Sequence, residues 1–217
     1  MGVQGMQGGI AAAEPSDIAF DRLAGWAGIG TAIAGAAYAV SFVVLKNNGL
    51  SALFLLIGPF LSTLVLVALY NRFRTVNAGL SLWFLLLATV GAIGASVHGG
   101  FDLANQLHPP ATTSDLPNSI DPRGLLTFGA SGMALLAAAW LAGRTGGLPT
   151  WVEPVAAVLG VVLVVTYLAR LIVLDANSPA VLLPALVAGV MSPLVYLGLG
   201  LWLIRGVMPG ASAAIRR

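Results

Sequence analysis

Leu50–Tyr70 reads LSALFLLIGPFLSTLVLVALY, an apolar run without a charge, held between Lys46-Asn47-Asn48-Gly49 on one side and Asn71, Arg72 and Arg74 on the other. A hydrocarbon core about 30 Å thick is crossed by about 20 helical residues at 1.5 Å rise each, and this run has that length. It lacks the polar alternation of the roughly ten-residue strands that build a membrane barrel, so it reads as a helix crossing a bilayer.

Five further runs of the same kind flank it: Gly25 to Leu45 before, then Leu80 to Gly100, Gly124 to Gly143, Pro154 to Leu174 and Pro179 to Ile204 after. The expected fold is therefore all-α, a polytopic bundle of six transmembrane helices over 25–206. A flexible N-terminus (1–24) precedes it and a short tail (207–217) follows. Composition agrees, with 58% hydrophobic and 8% charged residues among 217 and a mean hydropathy of +0.93. A soluble domain carries roughly 25% charged residues, so a water-facing shell cannot be assembled here. The basic residues stand singly or in pairs and form no long run, which gives no footprint for nucleic acid. Cysteine is absent, which removes disulfides, thiolate metal sites and a cysteine nucleophile.

The first residues lack the basic-then-apolar order of a secretory signal, so the segment is expected to be retained. Up to about Ala13 it is rich in Gly and Ala and reads as disordered. Pro15-Ser16-Asp17 followed by Ile18, Phe20 and Leu23 reads as a capped, short interfacial helix leading into the first span. Lys and Arg set orientation, because basic residues stay on the cytoplasmic side. Arg22, Arg72, Arg74, Arg144, Arg205, Arg216 and Arg217 fall on one side, and Lys46, Arg123 and Arg170 on the other. Both termini are expected in the cytoplasm of a cell (inner or plasma) membrane, with the connection at about 101–123 outside. Trp26, Trp83, Trp140, Trp151 and Trp202 all lie near the expected cytoplasmic ends, where indoles favour the headgroup level.

Helices in lipid approach through small residues. Ala24, Gly28, Ala32 and Ala36 recur every four residues in the first span, Ala88, Ala92, Ser96 and Gly100 in the third, and Ala130, Ala134, Ala138 and Ala142 in the fourth. The first, third and fourth spans are accordingly expected at the bundle centre, with the Leu- and Val-rich second and fifth against lipid. Gly58-Pro59 in the second span, and Pro184 and Pro193 in the sixth, remove backbone donors and are expected to kink or unwind their helices. Such breaks line substrate pathways in some transporters, although proline is also common in membrane helices generally.

The polar residues gather at the outer ends. Arg170 interrupts an apolar stretch and needs compensation. His98 and Asp102 are four apart and share a helix face if the helix passes through Gly99-Gly100. His98, Asp102, Arg123, Arg170 and Asp175 therefore form a candidate ligand-binding pocket beneath the 101–123 connection. The competing reading has them snorkelling to the headgroups as anchors. No cofactor is indicated; a metal would first engage His98, Asp102 and His108. HExxH, GxSxG and Walker motifs are missing, the span hydroxyls are expected to bond back to the preceding turn, and all eight acidic residues lie at or beyond the span ends. The absence of mid-membrane carboxylates opposes an ion-driven carrier.

Function thus reads first as an accessory or scaffold subunit of a larger membrane complex, or as a lipid- or small-ligand-binding bundle. A small-solute transporter using the Pro-containing second and sixth spans is the alternative, and an intramembrane enzyme built on His98 and Asp102 the third. The expected partners are membrane lipids, with other membrane subunits or further copies of the chain.

Overall fold

The computed structural model describes residues 15–109, 122–145, 148–173 and 178–206, with 15–17 and 122–126 described by backbone only. The described residues are all-helical. Six α-helices run α1 Pro15–Ala39, α2 Asn48–Phe73, α3 Ala78–Leu107, α4 Pro122–Ala142, α5 Val152–Ile172 and α6 Pro179–Gly206, and a π-helical turn, Val40–Val44, extends α1. Five of these stretches, all but α4, are long and apolar enough to cross a membrane by length and composition. α4 is itself 21 residues long, about 31 Å at the α-helical rise.

Local chemistry sets the helix ends. Asn47 and Asn77 cap α2 and α3, their side-chain oxygens accepting from Leu50 N at 3.0 Å and Leu80 N at 2.9 Å. Proline opens α4 and α6, where its missing N–H costs nothing. At the end of the π-turn, Leu45 N donates to Val40 O and Asn47 N to Ser41 O, and Lys46 takes the left-handed conformation at φ 50° that reverses the chain.

Three expectations are corrected. The segment around Ile18, Phe20 and Leu23 is no separate interfacial helix; α1 is continuous from Pro15 through Ala39, since nothing between Asp21 and Trp26 breaks it. α3 does not stop at Gly100 but continues to Leu107, so the connection to α4 starts about two turns later than read. The centre of the bundle is not held by the first, third and fourth spans. Instead the helices form a ring in chain order, each packed on its sequence neighbours, with α6 returning to α1. Turns as short as 45–47 and 74–77 force consecutive helices to be antiparallel partners. α2 is as deeply packed as α3, 39% of the most apolar stretch of each being buried, because Ser51, Ala52, Gly58 and Ser62 supply the small face that a search for alanines overlooks.

Glycine backbones close most seams of the ring. On the α1–α6 seam, a Cβ at Gly28 would lie 3.0 Å from Gly200 Cα, and one at Gly200 would lie 2.7 Å from Gly25 O. On the α4–α5 seam, Gly132 and Gly160 face each other, each 3.0 Å from the other's carbonyl oxygen by the same measure. Gly91 meets Ser131 between α3 and α4. The alanine repeats lie within these faces: Ala24, Ala32, Ala88, Ala92, Ala134, Ala138 and Ala142 are buried, whereas Ala36 is exposed. Toward the end that carries Arg72, all six helices contribute to one packed core, including Ala24, Val65, Phe73, Phe84, Leu141, Val152 and Leu203, with Phe73 and Phe84 edge to face at 5.3 Å.

Candidate functional site

α3 is 30 residues long, about 45 Å, and so overhangs a hydrocarbon core of about 30 Å. His98 lies about 30 Å from its first residue and Asp102 one turn beyond. Because the helix runs through Gly99 and Gly100, the two side chains share a face, and His98 Nε2 stands 3.4 Å from Asp102 Oδ2. The imidazole side chain is 30% exposed and its Nδ1 is shielded from solvent. Nδ1 of His98 is thus turned from solvent, while Nε2 faces a carboxylate whose side chain is 44% exposed.

The register of this segment is set by α2. Ser96 Oγ donates across the seam to Leu56 O at 3.0 Å, and a Cβ at Gly99 would lie 2.8 Å from Ala52 O, so both residues flanking His98 in space are pinned. Ser96 therefore departs from the expectation that span hydroxyls bond back to their own helix, whereas Ser62, Thr63 and Thr166 follow it. Thr31, passed over in the sequence reading, bridges likewise, from α1 to Gly58 O at 3.3 Å as well as to Ala27 O.

Near the end of α1 the ring of Tyr38 stacks on Phe42 of the π-turn at 5.8 Å. His98 is two turns beyond Gly91, which packs on Ser131; Arg123 is about 12 Å back along α4 from Ser131, so its backbone lies near the level of His98. The side chain of Arg123, and all of Asp175, lie outside the described residues.

Arg170 is not brought to the His98–Asp102 pair. It belongs to the seam of α4 and α5, with its guanidinium 5.9 Å from the ring centre of Phe128, and that ring face provides part of the compensation its charge requires. His108 is about 15 Å further along the α3 axis than His98 and cannot share a metal with it. Among the described residues no three metal-ligating side chains converge. Two of the helix-breaking residues, Gly58 and Pro193, have packing roles. Helical structure continues through Pro59, Pro184 and Pro193; Gly58 receives Thr31, and the Pro193 ring fits against Gly35 of α1.

The opposite end carries the polar contact that sequence reading missed. Asp21 of α1 accepts two hydrogen bonds from Arg72 of α2, and Trp202 of α6 lies under the same guanidinium at 4.7 Å. Only the pairing of an acid in α1 with an arginine in the last turn of α2 hinted at it.

These features define an integral membrane protein of the all-helical, multi-pass class, with the His98–Asp102 pair toward one end and a clasped core at the other. No protein-family model, curated protein or solved structure matches the chain.

Proposed function

We propose that the protein is a non-catalytic membrane bundle that binds a small polar ligand at the outer end of α3, with both termini in the cytoplasm of a plasma or inner membrane. The observation that carries this reading is His98, whose Nδ1 is shielded while Nε2 faces Asp102 at 3.4 Å. Anchoring at headgroups asks for exposed, mobile charges, and an imidazole with one nitrogen shielded gives up hydration that an anchor would keep. Together the imidazole and the carboxylate offer a donor and acceptors, suited to a solute bearing both kinds of group, such as a small zwitterion or polyol. Asp175 and the guanidinium of Arg123 are candidates to complete the cleft. The core joining all six helices at the Arg72 end favours binding over carriage, because a pathway would have to part Phe73, Phe84 and Leu141.

The test is thermal unfolding of the purified protein against panels of amino acids, polyamines, sugars and carboxylates. One solute class is expected to raise the melting temperature of the wild type and to lose that effect in His98→Ala and Asp102→Asn, both still folded. A shift retained in both variants would move the site elsewhere.

A second reading, the accessory subunit, is favoured by α6. Only 11% of its most apolar stretch is buried, and Leu182, Leu183, Leu186, Val190 and Leu197 face outward. Co-purification of another membrane protein at fixed stoichiometry, lost when Leu183 and Val190 are replaced by Trp, would establish it.

A further inference from the structure

The seam between α5 and α6 is the weakest of the ring. On most other seams glycine lets backbone meet backbone, but here Gly198 is covered by the indole of Trp151, whose Cζ2 and Cη2 lie 2.7 and 2.9 Å from where a Cβ would stand. The helices are held apart, and a cavity of about 280 Å³ remains, lined by Trp151, Val155, Met191, Leu194, Val195 and Gly198. Its lining is almost wholly apolar. Leu194 is 63% exposed, so the cavity opens on the surface that faces hydrocarbon.

The geometry points to a binding site for one acyl chain of an anionic phospholipid in this groove, with the lipid phosphate held by Arg205. Arg205 is seven residues after Gly198 and so lies on the same face of α6, about 10 Å closer to the headgroups, and it is exposed. The indole of Trp151 supplies a donor between the two levels, suited to an ester carbonyl. A slot of this volume is at the lower edge of small-molecule sites, which run from about 300 Å³ upward, and does not admit a helix of about 10 Å diameter. An apolar slot with a cation at its mouth matches a single chain joined to a phosphate. The inference is independent of the cleft at His98.

Native mass spectrometry of the full chain, released from nanodiscs of equal dioleoylphosphatidylglycerol and dioleoylphosphatidylcholine, tests it. One phosphatidylglycerol per chain is expected to survive delipidation. Arg205→Gln should reduce the preference over phosphatidylcholine by about fivefold, in keeping with one basic residue at an anionic surface. Leu194→Trp, which fills the slot, should abolish retention, while Val158→Trp, on the exposed face of α5, should not. Circular dichroism of each variant checks that it is folded. Equal retention in folded Leu194→Trp, the absence of a headgroup preference, or a second copy of the chain retained in place of lipid would overturn the assignment.

Discussion

Arg72 and Asp21, 51 residues apart in sequence, meet as a bidentate pair, with Nη2 to Oδ2 at 2.6 Å and Nη1 to Oδ1 at 3.1 Å. The same guanidinium donates to Ala68 O at 3.0 Å and covers the Trp202 ring, so one side chain joins three helices of the ring. Its fork matches a carboxylate as a lysine ammonium would not.

The pair is mostly withdrawn from solvent, with side-chain exposures of 27% for Arg72 and 22% for Asp21. Hydrogen bonds to charged groups contribute about 1.5–3 kcal/mol, and the residual exposure moves the expectation to the lower end of that range. A double-mutant cycle with Asp21→Asn and Arg72→Gln, followed by thermal unfolding in detergent, should return a coupling of about 1–2 kcal/mol. Additive losses would show that the two side chains act separately. Arg72→Lys should recover little, because the two parallel bonds and the stacked ring both need the planar group.

Two glycines of α6 should behave oppositely. A Cβ at Gly200 would enter the backbone of α1 at 2.7 Å from Gly25 O, whereas a Cβ at Gly189 meets nothing within 4 Å. Gly200→Ala is expected to cost about 1–3 kcal/mol as α1 and α6 are forced apart. Gly189→Ala is expected to be neutral or to stabilise by up to about 1 kcal/mol, through helix propensity alone. Melting temperatures of the two variants settle the matter, and equal behaviour would contradict the α1–α6 crossing.

Orientation is open to direct labelling, because the natural chain has no cysteine to give a background. A cysteine at Thr113, in the connection after α3, should react with an impermeant maleimide in intact cells. One at Ala78, the exposed first residue of α3, should react only after lysis. The reverse pattern would place His98 on the cytoplasmic side and remove the outward ligand from the proposed function.

Membrane residence, helical class, six apolar runs and their approximate limits were legible in the sequence, because each follows from local composition and the thickness of a bilayer. The side-by-side placement of His98 and Asp102 was legible as a condition on Gly99 and Gly100, and the small faces of α1, α3 and α4 as four-residue repeats. What the residues did not disclose is which helix each face meets. An alanine repeat specifies close approach without naming its partner, so the ring order, the burial of α2 and the exposure of α6 came from tertiary packing. So did the separation of Arg170 from His98, the Asp21–Arg72–Trp202 clasp and the wedge of Trp151 over Gly198. Hydropathy is a property summed along one helix, whereas these contacts depend on the rotation and height of two helices at once, which the folded bundle alone determines.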